Sequence, residues 1–196
     1  MGGEEMALQA PAEKLGTVNG VDVDQLFATI EAIKGDPDIA KFQFRVKNNW
    51  INGGHNHVTI KDFYGAKQEH LHGTTFDLDA GEHQVLLGED NGPNPVEYLL
   101  TGLSGCLTSA LIYHAAAKGI KIKALQSRVE GDLDLRGFLG LSEDVPVGYK
   151  QIRVYFKIDA DVSEQQKQEL IEIAQKYSPV FNSVVNPTSV SVSLEK

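Results

Sequence analysis

The stretch from Asn94 to Ile120 limits the fold more than any other part of the chain. It opens as a helix. Asn94 can cap, Pro95 suits the first helical position, and Glu97 lies three residues after the cap, which is capping-box spacing. Leu99, Leu100, Leu103, Cys106, Leu107, Ala110, Leu111 and His114 follow at helical intervals. Lys118-Gly119-Ile120 closes the segment with a cation in the last turn, a glycine for the left-handed position and an apolar residue beyond. A helix over Pro95–Lys118 is roughly 36 Å long at about 1.5 Å per residue. A second face carries the small residues Gly102, Gly105, Ser109 and Ala116. A helix this apolar and this small-sided is expected to be buried nearly all round. One small domain cannot surround it, so the sequence points to a homodimer with this helix packed on its symmetry mate. Glu97, Gly102, Gly105 and His114 interrupt the stretch too often for a good membrane span.

The flanking segments supply strands and further helices. Val23, Leu26, Phe27, Ile30 and Ile33 share one side of a helix over Asp22–Lys34, which Gly35-Asp36-Pro37 stops. Phe42, Phe44 and Val46 alternate with Gln43, Arg45 and Lys47, the period of a strand. Asn52-Gly53-Gly54 makes a turn, and His57–Ile60 and Thr74–Leu78 read as further strands. After the long helix, Leu125–Arg136 and Tyr149–Ile158 alternate around a loop over Gly137–Gly148. Ser163–Tyr177 reads as a helix opened by the capping pair Ser163 and Gln166, Ser178 caps a short turn, and Val190, Val192 and Leu194 suggest a last strand. Segregated antiparallel strands with two main helices define an α+β fold. The expected organisation is a loose tail over residues 1–20, a helical extension over 21–40 and one domain over 41–196.

The length of 196 residues suits one domain with an appendage, and a hydrophobic share of 41% is enough for a sizeable core. With 27 acidic against 18 basic side chains the formal charge is -9. Such a surface repels phosphate backbones, so no nucleic acid partner is expected. No membrane attachment is expected either. Residues 1–20 show no apolar run behind a basic start, and a single cysteine excludes an intramolecular disulfide, so the expected location is the cytoplasm.

The segment GEDNGPNPVEYLLTGLSGC, Gly88–Cys106, resembles the signature of the OsmC/Ohr superfamily, the osmotically induced and organic-hydroperoxide-resistance proteins. Pro95 and Cys106 have the spacing of that family's motif proline and reactive cysteine. Glu130–Leu141 and Lys176–Pro187 look like the second half of one of its subgroups. The resemblance covers roughly residues 41–196. It implies an intertwined homodimer with two central helices between sheets and active sites at the subunit interface. The implied chemistry is reduction of organic hydroperoxides: a thiolate attacks the peroxide oxygen, becomes a sulfenic acid, and a second cysteine closes a disulfide. The chain departs from this pattern in three places. The second cysteine position is Ser178. The glutamate that follows the motif proline in the hydroperoxide-resistance branch is Val96 here, with Glu97 one residue later. The arginine after the Gly-Gly turn is replaced by His55, which leaves Arg45 as the nearest guanidinium.

Cys106, Glu97 and Arg45 are therefore the candidate catalytic residues, each with a plainer reading beside the chemical one. Cys106 can be a small core residue, Glu97 a helix cap, and Arg45 a solvated strand residue. The pairs His55/His57 and His70/His72 would each point to one strand face, as metal ligands can, but without a recognised ligand frame they read as solvated. No cofactor and no metal are assigned. Asp132, Asp134 and Arg136 read as one exposed charged strand face. The leading expectation is a one-cysteine thiol peroxidase served by an external thiol reductant. A non-catalytic dimeric module binding a small apolar ligand is the alternative, and a histidine metal site the third.

Overall fold

The computed structural model describes residue 8 and residues 13–195. The α+β expectation holds: among the described residues, antiparallel strands and five α-helices fall into two compact units, one of residues 25–99 and one of residues 13–24 with 100–195.

In the unit of residues 25–99, helix α1 (Val23–Gly35) is followed by a 3-10 turn at Pro37–Ala40, whose cap Asp36 accepts from the amide of Asp38. Strand β5 (His55–Gly65) is central. Along one edge it pairs antiparallel with β3 (Gln43–Phe44) and β4 (Lys47–Asn52), and along the other with β6 (Gln68–Ala80). Pairs such as Phe44↔Phe63, Phe63↔His70, His57↔Asp79 and Thr59↔Asp77 fix the register. Strand alternation separates two faces. One is aromatic: ring centroids are 5.7 Å apart for Phe44–Phe63, 4.9 Å for Phe63–His70 and 5.2 Å for His72–Phe76. The other carries Arg45, Asp62 and Glu69 towards one end and His55, His57, Asp77 and Asp79 towards the other.

β5 and β6 run further than the sequence pattern suggests. Between Ile60↔Phe76 and Asp62↔Leu71 the register shifts, so residues 72–75 of β6 stand opposite Lys61 alone. A bulge of this kind breaks the alternation on which a strand is recognised. The two strands are joined across Ala66 and Lys67, with φ of 46° and 65°. Tight hairpin turns favour positive φ at both central residues, and no glycine marks this one.

In the other unit, β1 (Thr17–Val18) and β2 (Val21–Asp22) form a small hairpin. Helix α2 (Pro95–Ala117) contributes its length from Leu100 onward. β7 (Ile122–Asp132) and β8 (Gln151–Ala160) pair antiparallel, with α3 (Leu135–Phe138) between them, and α4 (Glu164–Tyr177) and α5 (Pro179–Val185) follow. The core is the stripe Leu103, Leu107, Leu111 and Ala115 of α2 with Leu170 and Ala174 of α4, laid on Leu125, Val129, Ile152, Val154, Phe156 and Ile158. Each leucine buried there stabilises the unit by about 1.5–3 kcal/mol. By length and composition α2 could cross a bilayer, yet its leucine stripe is the centre of this packed core.

Several expectations need correction. Residues 1–7 and 9–12 of the expected tail lie outside the described residues, but residues 17–22 are the β1–β2 hairpin. Asp134 and Arg136 are not on a strand: β7 ends at Asp132, and Asp134 caps α3 by accepting from the amide of Arg136. Ala116 belongs to the buried end of α2 and not to its open face. Val190, Val192 and Leu194 form no strand, because among the described residues no neighbour pairs with them; Val192 is 94% exposed.

Candidate thiol site

Asn94 and Glu97 start α2 as the sequence suggests. The Asn94 side chain accepts from the amide of Val96 at 2.9 Å, and the Glu97 carboxylate accepts from the amide of Asn94 at 2.9 Å. This reciprocal pairing satisfies helix donors that otherwise lack partners. It makes capping the observed role of Glu97.

Cys106 is half-buried on α2, between the buried Leu103 and Leu107 and the exposed Gly102, Gly105 and Ser109. At Gly102 and Gly105 a methyl group would meet nothing within 4 Å, so the helix is open on that side. The thiol sits at the border of core and open face. Glu97 precedes it by nine residues, about two and a half turns, which places the two side chains on opposite sides of the helix.

Arg45 is committed to partners on its own sheet. Its guanidinium donates to Glu69 at 2.7 and 2.9 Å and to Asp62 at 2.9 Å. Glu69 first, then Asp62, hold it firmly protonated, and it lowers the Glu69 carboxyl in return. An arginine held by two acids is a neutralised strand clasp rather than a free cation.

Ser178, at the expected second-cysteine position, is fully buried. It caps α5, its hydroxyl accepting from the amide of Phe181 at 3.2 Å. His70 and His72 join the aromatic face. His55 and His57 both approach Asp79 Oδ1, at 2.9 and 3.2 Å. Among the described residues no group of three His, Cys, Asp or Glu side chains is arranged to hold a metal.

Pattern reading overlooked two groups. Asp79 is a hub for both histidines, and this was hidden because the strand extends beyond Thr74–Leu78. His114 is buried against Tyr177, and its helical position gave no sign of that contact.

The described residues define an antiparallel α+β protein with one half-buried thiol on its long helix α2. The chain belongs to the OsmC-like protein family, whose model matches residues 88–193. Among solved structures, it is similar to an OsmC-like protein from Mycoplasma pneumoniae, with 19% identity over 73% of this chain and 87% of that one and a TM-score of 0.55. It is also similar to an organic hydroperoxide resistance protein OsmC from Legionella pneumophila, with 18% identity, 72% and 88% coverage and a TM-score of 0.52. An OsmC-like protein of unknown function from Vibrio cholerae matches at 11% identity, 72% and 92% coverage and a TM-score of 0.55. These likenesses establish the fold. No curated protein sequence matches the chain.

Proposed function

We propose that this OsmC-like protein is a thiol-dependent reductase of organic hydroperoxides that acts as a homodimer in the cytoplasm and uses Cys106 with an external thiol. The observation that carries this reading is Cys106 itself: half-buried on α2, beside an open face of small residues, and inside the span matched by the family. The name of the Legionella protein supports organic hydroperoxides as the substrate class.

In the reaction, the Cys106 thiolate attacks one peroxide oxygen and the O–O bond breaks. The other oxygen leaves as an alkoxide and takes a proton to become the alcohol. The sulfur, oxidised to sulfenic acid, is attacked by an external thiolate, with water leaving. A second external thiol then releases Cys106 and carries away the disulfide. An external reductant is required because the chain has one cysteine and Ser178 cannot act as a thiol.

The dimer is supported by two uncovered surfaces. Only 28% of the most apolar window of α2 is buried within the chain. On the aromatic face of the β3–β6 sheet, Phe44 is 75% exposed and Trp50 70%. A second copy covering both would remove apolar area from water. It would also bring new side chains to the open side of Cys106, where a group that activates the thiol has room. Glu97 is retained in this scheme as the cap that fixes the start of α2, and Arg45 as the clasp of the sheet.

The test is consumption of an organic hydroperoxide with a dithiol reductant by the wild type and Cys106→Ser. Loss of turnover in the variant is expected. Equal rates would remove the enzymatic reading and leave a dimeric binding module.

A further inference from the structure

His57 occupies the middle of a ladder of polar side chains. The register sets Asn49 of β4 on one side of it and Asp79 of β6 on the other, with Thr59 and Asp77 one pair along. Alternation sends His55, His57, Thr59, Asp77 and Asp79 to one face. His57 Nδ1 is 3.2 Å from Asp79 Oδ1, and Nε2 is 3.4 Å from Asp77 Oδ1. A neutral imidazole has one N–H. Placed between two carboxylates, it must turn a lone pair towards one of them, whereas the imidazolium donates to Asp79 and attracts Asp77. His55 Nε2 lies 2.9 Å from the same Asp79 oxygen, and its Nδ1 faces the Asn91 side-chain nitrogen at 3.2 Å.

Asp79 is also the point where the loop of residues 81–94 is fastened. The Tyr98 hydroxyl donates to the Asp79 carbonyl at 2.7 Å. Gly92 lies so close that a Cβ there would come within 2.1 Å of that oxygen. The amide of Gly81 donates to the carbonyl of Pro93 at 3.1 Å, and that of Asp90 to Glu82 at 3.0 Å. Any movement of Asp79 is therefore felt along the loop and in the first turn of α2.

We propose that protonated His57 is a clamp that fixes Asp79 and, through it, the loop of residues 81–94, and that loss of its proton as pH rises loosens this loop. The charged neighbours favour the proton. Asp77 and Asp79 face His57 from β6, and Glu82 and Glu89 come from the loop beside His55. Lys47 of β4, paired with Thr59, is a cation on the same ladder, and Asn49 is neutral. Asp79, then Asp77, raise His57 from its ordinary value against some desolvation, and the two histidines lower Asp79. A histidine with a raised folded value contributes fully below about 6.5 and loses its contribution as pH rises through the folded value. The clamp concerns backbone opening and stands whether or not Cys106 reacts.

Hydrogen exchange on the full chain at about pH 6 and about pH 8.5, with times scaled to intrinsic exchange, tests it. In the wild type, protection over residues 81–94 should fall roughly threefold or more while β7–β8 stays constant. His57→Gln, which cannot charge, should be loose at both pH values. Asp77→Asn should be tight at both, because its amide can donate to the lone pair of neutral His57. Unchanged wild-type protection, or the same pH response in all three proteins, would overturn the clamp. If a variant does not fold, the NMR titration of His57 in the wild type decides. A midpoint above the ordinary histidine value supports the proposal, and one at or below it refutes it.

Discussion

The imidazole of His114 lies flat on the ring of Tyr177, with centroids 4.8 Å apart and planes 18° from parallel. His114 belongs to the last turn of α2 and Tyr177 is the last residue of α4, so the stack joins the ends of the two helices that build the core. In a last turn a charged histidine would favour the helix dipole. Here burial, and then Lys118, push His114 the other way, below its ordinary value.

That direction fixes a pH dependence. The unfolded chain binds this proton more readily than the folded one. Stability from His114 is therefore complete above about pH 6.5 and is lost as pH falls through that value towards the folded one. The wild-type Tm should drop between about pH 7.5 and pH 5.5. His114→Phe keeps a ring on Tyr177 and removes the proton, so its Tm should fall less, and the difference between variant and wild type should shift in favour of the variant in acid. Parallel Tm curves would show that His114 does not titrate in this way.

Asn19 ties the β1–β2 hairpin to the start of β7. Its side-chain nitrogen donates to the carbonyl of Ile120 at 2.8 Å, and its side-chain oxygen accepts from the amide of Ile122 at 2.9 Å. Its φ of 54° is one that glycine tolerates. Asn19→Gly should thus keep the backbone and remove only the two bonds, at a cost of about 1–3 kcal/mol. The denaturant midpoint should fall with an unchanged slope. An unchanged midpoint would mean the hairpin is not held by these bonds.

Gly92 is excluded from growth by its neighbour. A Cβ would stand 2.1 Å from the Asp79 oxygen and 2.6 Å from its carbonyl carbon, and backbone cannot swing aside as a side chain can. Gly92→Ala should force the loop away from β6 and break the Tyr98–Asp79 bond. Exchange protection should be lost over residues 81–94, with β7–β8 unaffected. A normally protected loop in this variant would show that the close approach is not required.

The elements written in the sequence are those whose signals are local. The caps of α2 and α4, the alternation of β8 and the break at Lys118-Gly119 each lie within a few residues, and each appears in the structure. What escaped was non-local or irregular. The Ala66-Lys67 turn lacks the glycine that would announce it, and the bulge opposite Lys61 interrupts the alternation of β6. Val190–Leu194 has a strand pattern but no strand beside it among the described residues. The candidate site divides in the same way. The helical position of Cys106 follows from spacing, but its half-burial does not; the cap role of Glu97 follows from three-residue spacing. The fate of Arg45 depended on Asp62 and Glu69, which lie 17 and 24 residues away in sequence. The Asp79 hub depended on strand register.

Ser178 gives the last prediction. It joins α4 to α5, donating its amide to the carbonyl of Ala174 at 2.9 Å while its hydroxyl accepts from the amide of Phe181 at 3.2 Å. Its carbonyl accepts from Asn182 through both backbone and side chain, at 3.0 and 2.9 Å. Ser178 is fully buried, with Phe181 and Asn182 half-buried around it, and its hydroxyl serves the Phe181 donor. A neutral hydroxyl cannot attack a sulfenic acid as a thiolate does. Ser178→Ala should leave the Phe181 amide unpaired and cost about 1 kcal/mol. For a chain of this size that corresponds to a fall in Tm of about 2–4 °C. The initial rate of hydroperoxide reduction should stay at the wild-type value in this variant while Cys106→Ser abolishes it. A Ser178→Ala protein that is as stable as the wild type yet loses its rate would move Ser178 from the scaffold to the chemistry.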